Sequence, residues 1–489
     1  MTDAQLRAAN EAELNAMQLD TDPLADDTIA RILGPWPAGM PEADAPQWQA
    51  IATVNRVIAQ WTDNASLHTW QPGDGVPAPI AQALRDYVDA AQALPPWADA
   101  RKIARAEQLF MEHGALSCLL LFCASLPECY VIPDLSAVLH TSGQLEQHTE
   151  YRIRATAAMI FPVMLHGGLT RPQGCGVAQV LKVRLIHATI RNLILHGNPQ
   201  DAGGRLRSGQ VPALALQAGV PVTMYGAMYA RGWNLAQQGA PCNQEEQAYT
   251  LLTFGYVFLR GMRRLGIGLP PADEEAFLHA WNVIGHILGI DNALMVHNMH
   301  QGASLMAQMQ ERGRASPVTP DPRPALGQAL MQTMAQAIPW GPAKAFPPLM
   351  THYLCGTQTA QDLGIDTRAV PWTSKLLFHG LLGTARAIDR LVRLLLPRFS
   401  LTRMLARAVS YQFMSRLLMS QTRPLQLPEQ LLNPMQEAVA SWSDDPRAPA
   451  WVNRLEDRLT TTGTWRLHTA TAARPQPQGA AHTAPQTPA

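Results

Sequence analysis

Lysine is scarce in this 489-residue chain, whose only four lysines are Lys102, Lys182, Lys344 and Lys375. Charged residues of all kinds make up 16%, below the share of about a quarter that is usual in globular proteins. Lys+Arg and Asp+Glu are equal at 38 each, so the net charge is zero. The basic surface of a nucleic-acid-binding protein is therefore not indicated, and we expect no nucleic-acid partner.

Closely spaced cysteine pairs are also lacking. The six cysteines are scattered, with no C-x-x-C and no zinc-finger spacing. We interpret them as buried thiols, which suits a reducing compartment.

Long apolar runs are absent too. The longest, from Ala115 to Leu126, has about 12 residues, whereas a spanning helix needs about 20. The polar, acidic first twenty residues do not resemble a secretory signal. We therefore expect no stable membrane insertion and a cytoplasmic protein.

Strand-like alternation is nearly absent, and helical signatures recur instead. The clearest begins at Asn243, where the Asn243 side chain is a good cap and Glu246 completes a capping-box pattern. Arginines such as Arg263 follow near the other end, and Gly266 supplies a stop. The pattern predicts one continuous helix between Asn243 and Gly266.

Three more helices are predicted from signals of the same kind. One starts after Pro270-Pro271 and is expected to be capped by Asp273. A second spans roughly Ala178 to Leu195. A third spans roughly Leu145 to Met164, and Pro162 is expected to kink or end it.

The chain as a whole is predicted to be all-α. Residues 1–95 are interpreted as an N-terminal helical extension with Pro-rich loops, and residues 96–465 as the main helical domain. Residues 466–489 are too poor in apolar side chains to fold, and this segment is predicted to be a disordered tail.

One predicted helix combines an apolar circumference with charge. Arg184, His187 and Arg191 are spaced i, i+3 and i+7, so they share one face. Buried charges need partners. Carboxylates of the protein would satisfy the arginines and leave His187 as a hydrogen-bonded core residue. An anionic ligand that also accepts an imidazole is the other solution, and heme b is such a ligand.

The segment Lys182–Arg191 (KVRLIHATIR) resembles the heme-histidine helix of the rubber oxygenase (latex-clearing protein) family, which includes the ER-bound oxygenase of mycophenolic acid synthesis. Three further blocks resemble family motifs in the family's order, over roughly residues 105–300: Gly167-Gly168-Leu169, Asn243-Gln244-Glu245 with Thr250–Phe254, and the W-x-x-x-G-H-x-x-G pattern from Trp281 to Gly289.

This resemblance implies a globin-like helical core with additional helices and a b-type heme. It implies His187 as the iron ligand, with Arg184 and Arg191 anchoring the propionates. The family chemistry is oxidative cleavage of carbon–carbon double bonds in isoprenoid chains. We accordingly expect a heme-dependent oxygenase acting on a small apolar unsaturated substrate with dioxygen, the redox partner being unidentified. The alternative is a non-catalytic heme protein that senses or carries a gas.

On the distal side the family carries an R-x-x-K-T cluster, which resembles Arg152-Ile-Arg-Ala155-Thr156. The resemblance implies that Arg152 and Thr156 line the distal pocket as catalytic residues. The family's lysine, a second iron ligand in its closed state, is replaced by Ala155. Arg152 pairing with a nearby acid such as Glu146 or Glu150 is equally compatible with the sequence.

Two weaker candidates complete the set. Glu128 follows a buried apolar helix and could be a catalytic base, or a loop acid in water. His286 is a rival iron ligand, and His297 and His300 have the spacing of a metal pair but lack the carboxylate of an H-E-x-x-H site.

Overall fold

The computed structural model describes residues 11–37, 39–141, 149–209, 223–316, 318–338, 341–365 and 367–393. Within these ranges the regular elements are helices, so the predicted all-α class is confirmed; the globin-like arrangement stays a prediction. The α-helices are α1 Glu11–Met17, α2 Pro23–Leu33, α3 Pro46–Ile58, α4 Asn64–Thr69, α5 Ala78–Ala91, α6 Ala100–Glu112, α7 Gly114–Leu120, α8 Leu126–Cys129, α9 Pro133–Thr141, α10 Thr149–Met164, α11 Gly176–Leu195, α12 Pro199–Arg207, α13 Met224–Ala230, α14 Leu235–Gln238, α15 Gln244–Phe254, α16 Tyr256–Arg264, α17 Pro271–Ile287, α18 Met299–Arg314, α19 Arg323–Ala337, α20 Phe346–Cys355, α21 Thr357–Asp362 and α22 Trp372–Arg393.

Short 3₁₀ turns join some of these helices, at Asn292–Leu294, Gly341–Ala345 and Thr367–Ala369. A π-helical turn, Leu121–Ser125, links α7 to α8. This region contains the apolar run predicted to be core, and its side chains from Leu120 to Cys129 are buried. Of the six cysteines, five are buried and Cys175 is half-buried, and none forms a disulfide.

The helix predicted from Asn243 begins where expected. The Asn243 side chain accepts a hydrogen bond from the backbone N–H of Glu246 at 3.0 Å. The prediction of one helix up to Gly266 is wrong, however, because α15 ends at Phe254 and α16 starts at Tyr256. Gly255 marks the break, and a Cβ there would lie 3.4 Å from Trp281 on α17. Close packing against α17 therefore coincides with the interruption.

The predicted cap of α17 is also wrong. Pro270 precedes the helix and no side chain caps it. Asp273 instead forms a two-pronged ion pair with Arg105, at 2.6 and 2.8 Å. A carboxylate that receives a guanidinium in this geometry is better satisfied than one that caps a helix already started by proline.

The other two predicted helices are present. α11 covers the predicted range of roughly Ala178 to Leu195 and is followed by His196 in a left-handed conformation. α10 is described from Thr149 and ends at Met164, two residues beyond Pro162. Pro162 has no backbone N–H to donate to the carbonyl of Ala158, so one helical hydrogen bond is lost just before α10 ends.

Helix α11 lies at the centre of the packing. It contacts α10, α2, α13 and α17. Buried side chains of α2 such as Ala25 and Ile29 belong to the same core as those of α11. The N-terminal segment, which contains α2, therefore shares a core with α11. The boundary predicted near residue 95 stays a prediction.

Within the described ranges no single helix is both long and apolar enough to cross a membrane. Two helical stretches, Ala100–Glu112 and Leu116–Cys129, meet the requirement of length and composition when they are taken together. They are bent by 90° relative to each other.

Candidate functional site

The first arginine of the central helix is held by the N-terminal segment. Arg184 donates to both carboxylate oxygens of Asp22, at 2.6 and 2.7 Å, and to the backbone carbonyl of Ile287 at 3.0 Å. Both side chains are buried. The sequence left open whether Arg184 pairs with a carboxylate of the protein or with an anionic ligand. In the structure it pairs with the carboxylate of Asp22.

The second arginine is bound in a similar way one helical turn of α2 further on. Arg191 donates to Asp26 at 2.7 Å and to the carbonyl of Cys242 at 3.2 Å, and both charged side chains are fully buried. Its Nη2 atom has no hydrogen-bond partner among the described residues. One donor on this face is thus available to another group.

Asp22 and Asp26 were not predicted from the sequence. Asp22 is the N-cap of α2, followed by Pro23 at the first helical position. The spacing of i, i+4 places Asp22 and Asp26 on one face of α2, opposite the two arginines of α11. Acids at a helix start are common because the dipole favours them, so nothing local marked these two as partners of distant arginines.

The Asn243-Gln244-Glu245 motif binds to the same place. The Gln244 side-chain amide donates to the carbonyls of Thr21, at 2.6 Å, and Gly289, at 2.9 Å. Its amide oxygen accepts from the backbone N–H of Asp291 at 2.8 Å. One side chain therefore joins the start of α2 to the turn that follows α17.

Steric contacts explain why the last residue of the Trp281–Gly289 motif is a glycine. Gly289 has a φ of +88°, and a Cβ there would lie 2.6 Å from Asp22 Oδ2 and 2.8 Å from Arg184 Nε. Only glycine combines this backbone conformation with room for the ion pair. Three sequence motifs thus converge on the contact between α2 and α11.

His187 lies beside these arginines on α11 and is half-buried. The neighbouring Ile186 is 38% exposed, although the rest of the helix is largely core. Val183 and Ile190 are half-buried on the same side. This side of α11 therefore presents an imidazole next to incompletely covered apolar side chains. Burial lowers the pKa of the nearby Lys182 to about 8.

The predicted distal residues lie on α10, which packs against α11. Thr156 is half-buried. Arg152 and Ala155 fall within the α10 helix, but their side chains lie outside the described part of the structure.

The turn between α10 and α11 rests on a buried acid. Glu107 of α6 accepts a hydrogen bond from the backbone N–H of Gly167 at 2.8 Å. Burial raises the pKa of Glu107 to about 7 in spite of this bond. A Cβ at Gly168 would lie 2.0 Å from the carbonyl oxygen of Pro162, so the turn requires glycine at that position.

Comparison with known proteins agrees with this arrangement of motifs. The sequence profile of the family described as "ER-bound oxygenase mpaB/B'/Rubber oxygenase, catalytic domain" matches residues 110–387, more than half of the chain. The chain belongs to this family.

Two relatives of this oxygenase family are informative. The rubber oxygenase of Streptomyces sp. (strain K30) is 28% identical over 246 residues, which are 50% of this chain and 49% of the relative. The match thus spans about half the length of that relative. A solved structure of latex clearing protein LCP in the closed state has a TM-score of 0.55 and 19% identity, covering 87% of this chain and 90% of that chain. At that identity it shows a shared fold.

Glu128, the candidate base in this family member, is not a loop acid in water. Its carboxylate is buried and forms an ion pair with Arg260. It also accepts hydrogen bonds from Gln310 at 2.7 Å and Thr359 at 3.3 Å. A carboxylate with three partners is well suited to hold α8 against α16, α18 and α21.

The rival histidine lies in a different environment from His187. His286 is half-buried, and its ring lies 5.7 Å from that of Trp97, whose other neighbour is His279 at the same distance. His300 is exposed. Among the described residues no three His, Cys, Asp or Glu side chains are grouped so that they could hold a metal ion.

Proposed function

We propose that this protein is a heme b-dependent oxygenase that oxidises an apolar unsaturated substrate with dioxygen, with His187 as the iron ligand. The observation that carries the proposal is the position of His187 in the family's R-x-x-H-x-x-x-R segment, on a half-covered apolar side of α11. The family membership supports the reaction class.

The residues present fit a heme in two respects. A porphyrin supplies four nitrogen ligands, so one imidazole from the protein completes the binding. The apolar macrocycle needs apolar contacts, and Ile186, with Val183 and Ile190, offers them beside His187.

The propionates need cations, and the two arginines of α11 differ in how many of their donors are already engaged. The donors of Arg184 are engaged by Asp22 and the carbonyl of Ile287. Arg191 keeps one buried nitrogen without a partner among the described residues, one turn from His187. We therefore assign a propionate to Arg191, while Arg184 holds the rotation of α11 that presents His187.

When bound, the heme would supply the iron at which dioxygen is activated for cleavage of the double bond. The chain's own residues would do the positioning. The two ion pairs with Asp22 and Asp26 set the register of α11 against α2. Arg152 and Thr156 on α10 would line the distal pocket, where a cation stabilises negative charge that develops on oxygen.

A non-catalytic heme sensor or carrier is the second candidate. The observation that favours it is Ala155, which stands where the family's distal lysine is found. Oxygen consumption coupled to carbonyl formation from an unsaturated isoprenoid distinguishes the two, because a sensor binds gas without producing carbonyl compounds.

The test of heme binding is the absorbance spectrum and the pyridine hemochrome assay of the purified 489-residue chain, alongside two variants. We expect His187→Ala to lose the Soret band and His286→Ala, the matched rival histidine, to keep it. Retention of heme by His187→Ala, or its loss only in His286→Ala, would overturn the assignment. Circular dichroism of both variants shows whether they remain folded.

A further inference from the structure

A cavity lies away from α11. It has a volume of about 210 Å³ and is lined by residues of α9, α14, α15 and α18 and of the adjoining loops, with none from α11. The proposed heme site does not use these residues, so the cavity needs its own explanation.

One wall of this cavity carries a buried acid that is incompletely satisfied. Glu246 is 6% exposed, and its carboxyl group bonds the backbone N–H groups of Cys242 and Asn243. The Oε2 atom of the same group has no hydrogen-bond partner among the described residues. A buried oxygen of this kind is costly unless something else bonds to it.

The rest of the wall is acidic. Asp134 and Glu245 are each 7% exposed and also line the cavity. Arg312 is the guanidinium on this wall, and it is already bound to Glu245 at 2.9 Å. Asp134 accepts hydrogen bonds from Ser316 and from Gln238. Three carboxyl groups and one already paired guanidinium therefore line the cavity, and Arg231, outside the lining, also acts on Asp134.

The wide spacing of these acids argues against a metal ion. They are not grouped closely enough for three of them to hold one ion, within the part of the chain that the structure describes. A larger cation with several N–H donors can reach across a cavity of this size. We infer that the cavity binds a small organic ammonium ion, one of whose N–H groups bonds to Oε2 of Glu246.

Protonation gives this site a distinctive property. Burial, together with the charge of Asp134, raises the pKa of Glu246 well above its usual value. Without a cation beside it, the Glu246 carboxyl group therefore favours its protonated form. An ammonium ion favours the carboxylate. Binding should then release the proton of Glu246 into the buffer.

The experiment is calorimetric titration of the full chain with 1,4-diaminobutane, in two buffers of different ionisation enthalpy. We expect binding with release of a proton. Glu246→Gln keeps the shape and the acceptor for the backbone N–H groups but removes the charge, and should weaken binding about tenfold to 100-fold and abolish the proton release. Glu107→Gln, the same change at a buried acid outside the cavity, should bind like the wild type.

Two further probes and one further variant make the test decisive. 1,4-Butanediol and succinate, of similar length but neutral and anionic, should not bind. Ala315→Phe, at an exposed alanine of the lining, should block the cavity and abolish binding even if Glu246→Gln folds poorly. Equal binding of the diol or succinate, unchanged affinity in Glu246→Gln, or no heat from the diamine at about 10 mM would overturn the inference. Glu246→Gln and Ala315→Phe should both keep the Soret band, so heme binding and amine binding are tested separately.

Discussion

Asp22 and Arg184 form a buried, two-pronged ion pair across 162 residues of chain, and the backbone of Gly289 lies directly against it. The pair connects the start of α2, the middle of α11 and the turn after α17. The proposed iron ligand His187 is less than one helical turn from this contact. The stability of the contact and the geometry of the site are therefore linked.

Neutralising the acid tests this link. Asp22→Asn leaves the Arg184 charge buried without a counter-charge, and we expect a loss of about 3–5 kcal/mol in the free energy of unfolding. Urea denaturation measures it. The control is Asp86→Asn, which breaks the exposed pair between Arg31 and Asp86 and should hardly change the midpoint. Equal effects of the two substitutions would contradict the role assigned to Asp22.

The close approach of Gly289 predicts a second effect. Gly289→Ala adds a Cβ at a positive φ and also forces it against Asp22 and Arg184. Gly266→Ala is the matched control, because its φ is +80° and nothing lies within 4 Å of the added carbon. We expect about 1–2 kcal/mol of destabilisation in the control and roughly 1–3 kcal/mol more in Gly289→Ala, by thermal or urea unfolding. Similar losses in the two variants would mean that Asp22 and Arg184 can move away from the added carbon without loss of stability.

Glu107 predicts a pH dependence. Its pKa is raised from 4.5 to about 7 in the folded protein, so the folded state holds a proton that the unfolded chain releases. Its contribution to stability is fully present below about pH 4.5 and is lost as the pH rises to about 7. Glu107→Gln should remove this fall.

Unfolding midpoints between about pH 4 and pH 8 measure the effect of Glu107. Two other groups face the carboxylate: His166, 3.7 Å away, and Arg171. The same comparison in a His166→Asn background removes any contribution of that histidine to the pH curves. Parallel pH curves for the wild type and Glu107→Gln would show that Glu107 does not titrate in this range.

The proposed distal role of Arg152 predicts a separation of binding from turnover. Arg152→Leu should keep the heme but lower turnover of an unsaturated substrate about 100-fold, since one positioned donor at developing negative charge is worth that much. Arg154→Leu on the same helix is the control and should be close to the wild type. Loss of heme in Arg152→Leu, or unchanged turnover, would remove Arg152 from the catalytic set.

The common face of Arg184, His187 and Arg191 could be predicted from spacing, because a helix turns by about 100° per residue. Their partners could not. Asp22 lies 162 residues before Arg184, and the position of Asp22 before a proline already has a local explanation as a cap. Pairing over such distances depends on tertiary packing, and no local pattern in a single sequence reveals it.

The break at Gly255 illustrates the same limit in the fold. Capping residues predicted the start of α15 correctly because a cap acts on its own helix. A glycine inside a helical pattern is tolerated or not according to what packs against it. Here a Cβ at Gly255 would lie in contact with Trp281, at 3.4 Å, and no local pattern around Gly255 contained that information.

The two buried acids of α2 have a consequence for protein synthesis. Asp22 and Asp26 leave the ribosome some 160 residues before Arg184 and Arg191. At about 5–20 residues per second, that interval is roughly 10–30 s. During this time the N-terminal segment is without the cations that complete its core. Completion of this part of the fold is thus timed by translation through α11, and synonymous codons that slow it would lengthen the exposure of the nascent chain.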